Sequence, residues 1–210
     1  MVGLDLTGAV VSMRSLQGSE AIVAHSGSAI RAVAELEFGL GEGPTRDSWD
    51  TGRPQFVADL TSARSTWVAF APAAIEAGIR AAYAVPLHVG AARFGAFTMY
   101  CAAPRQLARE EAGQALVLAE LATEMLLDSS AQSPDGAIDP HLESALDVRS
   151  EIYQAQGMLM VSLRVGLTEA LARMRAHAFA TDRNLLDVAG DIIEGRLDLA
   201  DDSDDDHSTR

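Results

Sequence analysis

Tyr83-Ala84-Val85-Pro86-Leu87-His88-Val89, then Gly90-Ala91-Ala92-Arg93, then Phe94-Gly95-Ala96-Phe97-Thr98-Met99-Tyr100 is the stretch that decides the first half of the chain. Two apolar runs rich in β-branched and aromatic residues flank a short glycine-bearing loop, the pattern of a β-hairpin. Pro86 has no N–H for a ladder, so the first run must have an edge or a bulge there. Working outward, Gln55-Phe56-Val57-Ala58 reads as a short strand ended by Asp59, and Leu4 to Met13 and Glu20 to Ala24 read as a second hairpin joined through Gln17-Gly18-Ser19. Ser28 to Phe38 is helical in pattern, with Ile30, Val33, Ala34 and Leu36 set among charges. Gly39-Leu40-Gly41-Glu42-Gly43-Pro44 is too rich in turn residues for regular structure. Residues 64–78 suggest a helix around Phe70, Ile75 and Ala77, interrupted by Pro72, and residues 107–128 a long helix with Leu107, Ala115, Leu118, Leu121, Ala122, Met125 and Leu126 along one broad face.

Beyond residue 128 the pattern changes. Ser129-Ser130-Ala131-Gln132-Ser133-Pro134-Asp135-Gly136 has the composition of a linker. Leu142, Ala145, Val148, Ile152, Ala155, Leu159 and Ser162 then recur every three or four residues, a heptad-like seam. Val165-Gly166-Leu167 breaks it. Thr168 is placed to cap a second helix over Glu169 to Phe179, and Asn184, with Asp187 three residues later, to cap a third that ends near Gly195. Asp198 to Arg210 is acidic and reads as a disordered tail.

The 210 residues are 48% apolar and 22% charged, which allows a buried core and excludes wholesale disorder. No apolar run approaches the roughly 20 residues of a membrane-spanning helix, and the N-terminus lacks the features of a signal peptide. One cysteine, Cys101, rules out an intramolecular disulfide. A cytoplasmic location is the simplest expectation. The net charge of −14 argues against generic nucleic-acid binding, which needs cations against phosphate. All basic residues are arginine, which with the abundant alanine points to GC-rich coding. No P-loop, dinucleotide fingerprint or nucleophile elbow occurs, so no catalytic residue, cofactor or metal is expected.

Both halves resemble known families. Leu40-Gly41-Glu42-Gly43-Pro44, Val57-Ala58-Asp59-Leu60, Ala84-Val85-Pro86-Leu87 and Arg93-Phe94-Gly95-Ala96-Phe97 make residues 1–128 similar to a GAF domain of the type found in actinobacterial regulators. The resemblance implies an antiparallel sheet flanked by helices that binds an unidentified small molecule over the sheet or only mediates dimerisation. Ile152-Tyr153-Gln154-Ala155-Gln156-Gly157-Met158-Leu159-Met160, Glu169-Ala170, Met174-Arg175, Ala178 and Leu185-Leu186-Asp187-Val188-Ala189 make residues 142–197 similar to an ANTAR domain, the RNA-binding antitermination module. It implies a homodimer that recognises paired stem-loops in leader RNA. The family more often carries lysine where this chain has Gln156.

The expected fold is therefore α+β: a GAF-like sheet with flanking helices over residues 1–128, a linker over 129–141, an all-α three-helix module over 142–197 and a tail over 198–210. Arg149, Tyr153, Gln154, Gln156, Gly157, Arg173, Arg175 and Arg183 are the candidate RNA-binding residues. Arginines can follow a sugar-phosphate backbone, glutamines can reach base edges, and Tyr153 can stack on an unpaired base. Each has a structural reading beside this one: Gly157 as a helix crossing, the arginines as ion pairs with Glu151, Asp147 and Glu169, Tyr153 as part of the seam. Trp49, Trp67, Phe70 and Tyr83 are candidates to line a ligand pocket in the first domain, with core packing as the alternative. The competing functional expectation is a small-molecule sensor or scaffold that acts through protein contacts without RNA.

Overall fold

Five strands form one antiparallel sheet in the order β2-β1-β5-β4-β3: β1 (Gly8–Arg14), β2 (Glu20–His25), β3 (Gln55–Val57), β4 (Ala81–Val89) and β5 (Ala92–Cys101). The structure is a computed structural model and describes residues 6–14, 20–131 and 149–199. The chain divides into two units, Met1–Ala145 and Leu146–Arg210.

The β4–β5 hairpin is longer at both ends than the sequence suggests, and its loop shrinks to Gly90-Ala91, with Gly90 at φ 58. Pro86 sits in a strand that is central by order but locally an edge. It pairs with Ala96 of β5, whereas β3 reaches only Ala82, Tyr83 and Ala84. No ladder N–H is needed from residue 86 on that side, and a register irregularity follows between Leu87 and His88.

Alternation assigns the two faces. Val10, Ile22, Ala82 and Tyr100 look toward one side, where α1 (Ser28–Leu40) and α3 (Phe70–Glu76) bring Ile30, Val33, Phe70, Ala71 and Ala74. Ala81, Tyr83, Val85, Leu87 and Met99 look toward the other, where α4 (Arg109–Ala131) packs Ala115, Ala119, Ala122 and Leu126. The small alanines let α4 approach the sheet closely. The rest of its apolar stripe, Leu118, Leu121 and Met125, stays exposed, Met125 to 72%.

Two elements differ from the sequence expectation. Pro44–Thr51 forms a helix, α2, although its composition is polar and turn-like. Proline at N1 is preset for a helix, and its ends are held from outside it, by Glu37 of the preceding helix and Arg93 of β5. The single helix expected over 64–78 is instead a 3-10 turn, Leu60–Ala63, capped by the Asp59 carboxylate accepting from the Thr61 amide at 3.0 Å, followed by the short α3. Pro72 is accommodated in the first turn of α3, where its missing N–H costs nothing. The α4 helix runs to Ala131, into the stretch with linker composition. The 17–19 turn, the segment 132–148 and residues 200–210 lie outside the described residues.

The second unit holds α5 (Ser150–Leu163), α6 (Leu167–Ala180) and α7 (Leu185–Ile193). Its core is Ile152, Ala155 and Leu159 of α5, Ala170, Leu171, Met174 and Ala178 of α6, and Leu185, Val188, Ala189 and Ile192 of α7. Asn184 caps α7 as its sequence suggests, its side chain accepting from the Leu186 amide at 2.8 Å. Thr168 does not cap α6; the helix starts two residues earlier, at Leu167, with Gly166 at the N-cap and no side-chain cap. Leu199 is buried, so ordered packing extends past Asp198 into the stretch read as tail.

Candidate nucleic-acid interface

The eight residues expected to face RNA do not share one exposed surface. On α5 the core positions are Ile152, Ala155, Gln156 and Leu159, which places Gln154 on the solvent side and leaves Tyr153 and Gly157 half-buried. Gln156 is turned inward, 8% exposed, and its Nε2 donates to the Leu167 carbonyl at 2.7 Å. That bond ties α5 to the first residue of α6. The reading of Gln156 as an RNA contact is thereby corrected: its polar group is spent inside the bundle. Replacing it with leucine should cost the bundle about 1 kcal/mol, the net value of a neutral hydrogen bond. Denaturant titration followed by far-UV circular dichroism checks this; an unchanged midpoint would mean that the bond contributes nothing.

The arginines are similarly engaged. Arg149 is 3% exposed at the N-cap of α5 and is not available to a phosphate backbone, a second correction. Arg173 is exposed, with Nη2 2.8 Å from Glu169 Oε1, an i,i+4 pair open to solvent and worth at most about 0.5 kcal/mol. Arg175 is half-buried. Arg183 Nη2 lies 2.5 Å from Asp191 Oδ2, while Arg196, absent from the sequence-derived set, holds Asp191 Oδ1 at 2.6 Å. The hydrogen bonds from Arg183 and then Arg196 keep the Asp191 carboxyl below its ordinary range. Gln154, Met158 and Val161 of α5, Phe179 of α6 and Leu186 of α7 are exposed, as are Arg164, Arg183 and Arg196. A Cβ added at Gly157 would meet nothing within 4 Å among the described residues, so the packing of the bundle does not require glycine there.

In the first unit the four expected pocket residues separate. Trp67 and Phe70 meet edge to face, ring centroids 6.1 Å apart, in the α1–α3 core. Tyr83 lies on the α4 side of the sheet, where its hydroxyl donates to the Arg105 carbonyl. Trp49 is half-buried on α2 under the Arg14 guanidinium, 5.7 Å from the ring centroid. Residues on opposite faces of one sheet cannot line one pocket, so the four-residue pocket is corrected to two core aromatics and two separate contacts.

The polar feature of this unit is one the sequence reading missed. Glu37 of α1 is 5% exposed, and its Oε1 accepts from the Thr45 amide at 2.6 Å and the Arg46 amide at 3.2 Å. Its Oε2 accepts from Thr45 Oγ1 at 2.7 Å and from the Tyr100 hydroxyl at 3.3 Å, and Thr45 Oγ1 also pairs with Thr98 Oγ1 at 2.9 Å. Glu37 thus caps α2 from another helix, because Gly43 at the N-cap has no side chain to do so. Arg93 Nη1 donates to the Trp49 and Asp50 carbonyls at 2.6 and 2.8 Å, completing the other end of α2. Glu42 does for α3 what Glu37 does for α2, its Oε1 accepting from the Ala69 and Phe70 amides at 2.6 and 2.8 Å. A legible signal existed: Glu37 falls at the spacing of the buried positions Ile30, Val33, Ala34 and Phe38.

The model of the GAF domain family matches residues 2–126, more than half of the chain. The chain belongs to the GAF domain family. Residues 140–193 match the model of the ANTAR domain. Among solved structures, the GAF unit is similar to a domain of a two-component sensor histidine kinase protein from Sinorhizobium meliloti 1021, at 21% identity and a TM-score of 0.51, over 61% of this chain and 83% of that one. It is also similar to the GAF domain region of a membrane protein from Geobacter sulfurreducens PCA, at 20% identity and a TM-score of 0.45, over 59% and 81%. No curated protein matches the chain. Among the described residues no three His, Cys, Asp or Glu side chains are grouped to hold a metal ion, and no helix is long and apolar enough to cross a membrane.

Proposed function

We propose that the chain is a cytoplasmic transcription antiterminator without catalytic activity, in which the GAF domain senses a signal or mediates dimerisation and the ANTAR domain binds paired stem-loops in leader RNA. The observation that carries the reading is the ANTAR match over residues 140–193. With Arg149 buried and Arg183 bound to Asp191, each ANTAR module offers few free charges to phosphate. One module on one loop therefore binds weakly, and affinity comes from two modules on two loops held in one dimer. The exposed Leu118, Leu121 and Met125 stripe of α4 is the surface a second copy would cover.

The test is binding of the purified full chain to an RNA with two tandem short stem-loops, and to the same RNA with one loop deleted, across a salt series. Deletion of one loop is expected to weaken binding by about 10²–10⁴-fold, with two chains bound per intact RNA. Equal affinity for both RNAs, or no binding at low salt, overturns the reading. Nuclease-insensitive capture of a protein partner would then favour a sensor or scaffold, the reading that the inward-turned Gln156 and the paired arginines support.

A further inference from the structure

Guanidiniums from three elements converge on the last turn of α2. Arg14 of β1 places Nη1 3.1 Å from Asp50 Oδ1, and its guanidinium lies over the Trp49 ring. Arg46, one turn earlier on α2, places Nε 3.5 Å from Asp50 Oδ2. Arg93 of β5 donates from Nη1 to the Trp49 and Asp50 carbonyls. Gly52, at φ 67, makes room for it: a Cβ there would sit 3.2 Å from Arg93 Nη1 and 3.3 Å from its Cδ. Closing the end of this helix does not need so many cations. The Asp47 carbonyl accepts from Thr51 Oγ1 at 2.6 Å and the Ser48 carbonyl from the Gly52 amide at 2.9 Å, and Arg93 takes the next two carbonyls. Arg14 and Arg46 are surplus to that task.

The charge of the cluster is not balanced from within. Its carboxylates are Asp50 and Glu20, the latter 3.6 Å from Arg14 Nε. Asp47 on the same helix is taken by Trp67 Nε1 at 3.0 Å. Among the described residues Arg93 meets no carboxylate, and its Nε and Nη2 make no hydrogen bond. Arg53, exposed directly after Gly52, adds a further cation to the neighbourhood. The chain as a whole carries −14, so a local excess of positive charge is not the background here. The donors are also fixed in advance, Arg93 by two backbone carbonyls and Arg14 by the Trp49 ring and two carboxylates, which lowers the ordering cost of binding. The site is open to solvent: Arg93 is exposed, and the Asp50 side chain is 50% exposed.

We propose that Arg14, Arg46 and Arg93 form a binding site for a phosphate monoester, in which the Asp50 carboxylate is the internal anion that the ligand displaces. A monoester carries about −1.5 to −2 at pH 7 on three terminal oxygens, and planar guanidinium forks match those oxygens. Exposed ion pairs such as those of Asp50 are weak, so its carboxylate is free to swing into solvent when a stronger anion arrives. A phosphodiester carries a single charge, the same as Asp50, and gains nothing by replacing it; a nucleic-acid backbone is therefore not the occupant. The site gives a chemical class to the signal proposed for the GAF domain, and it does not depend on RNA binding.

The test is titration of the full chain with methyl phosphate at low salt, followed by the indole N–H resonances of Trp49 and Trp67. The Trp49 resonance should shift saturably. That of Trp67, whose N–H is bonded to Asp47, should hold, which shows that α2 stays docked. Dimethyl phosphate should bind at least about fivefold more weakly, the effect of one charge at about 4 Å in water. Arg93→Ala should weaken methyl phosphate about 10- to 100-fold. Asp50→Asn should tighten it about fivefold, a gain that no misfolded chain produces, so the site stays testable even if Arg93→Ala loosens α2. Binding that neither substitution changes means an adventitious ion only and overturns the site, as does the absence of a saturable shift at low salt. Equal affinity for the two esters overturns the monoester and favours a phosphodiester backbone instead. No RNA enters the titration, so its failure leaves the antiterminator reading standing, and failure of that reading leaves this site untouched.

Discussion

Gly43→Ala should destabilise the GAF domain by about 2–6 kcal/mol, because backbone strain and overpacking each contribute about 1–3 kcal/mol. At φ 145 the residue occupies a region essentially closed to L side chains. A Cβ there would also lie 2.5 Å from Glu37 Oε1 and 2.6 Å from its Cδ and Cγ. The carboxyl cannot step aside without giving up the Thr45 and Arg46 amides. Gly78 is the comparison without the steric clash: its φ is 86 and a Cβ there meets nothing within 4 Å, so Gly78→Ala carries only a backbone cost, smaller than that at φ 145. Urea denaturation of the two variants is expected to show the larger loss at Gly43. Equal losses at the two positions would mean that Glu37 yields freely and that its contact with Gly43 does not matter.

In the three-helix unit, most of which matches the ANTAR model, the largest effect is expected at Met174. The side chain is fully buried at the centre of α6, and a methionine-to-alanine change in a core costs about 2–5 kcal/mol. A bundle this small has little stability to lose, since short chains bury a smaller share of their surface. Met174→Ala should unfold a large fraction of the module at 37 °C while the GAF unit remains folded. Met158 is 42% exposed on α5, and Met158→Ala should leave stability within about 0.5 kcal/mol. Thermal unfolding followed by circular dichroism, with GAF unfolding tracked through Trp67, reports both. A Met174→Ala chain whose helical signal melts with that of the parent would show that this core is not the one drawn above.

Much of the architecture was legible because its signals are local. The β4–β5 hairpin, the α1 stripe, the Asn184 cap and the three-helix pattern each follow from residues a few positions apart. The α2 helix was not legible for the opposite reason. Its sequence, Pro-Thr-Arg-Asp-Ser-Trp-Asp-Thr, favours turns, and it becomes a helix because Glu37 and Arg93 supply its end groups from elsewhere in the chain. The same holds for Tyr83 and Trp67: aromatic content marked both as buried, but only the alternation of β4 against α4 shows that they lie on opposite sides of the sheet.

By itself the amino-acid sequence determined the α+β class, the strand-rich first half and helical second half, the acidic charge, and the residues by which the chain resembles GAF and ANTAR domains. Apart from the resemblance, these are properties of composition and short-range periodicity, which need no partner to be read. Tertiary structure alone decided that Gln156 is bonded inside the bundle, that Arg149 is buried at the start of α5, that Asp191 binds Arg183 and Arg196, and that Glu37 sits between two helices beside Tyr100, 63 residues away. The physical reason is that a polar side chain takes its role from the donor or acceptor that desolvation brings to it. Over separations of that length, only the packed fold chooses the partner.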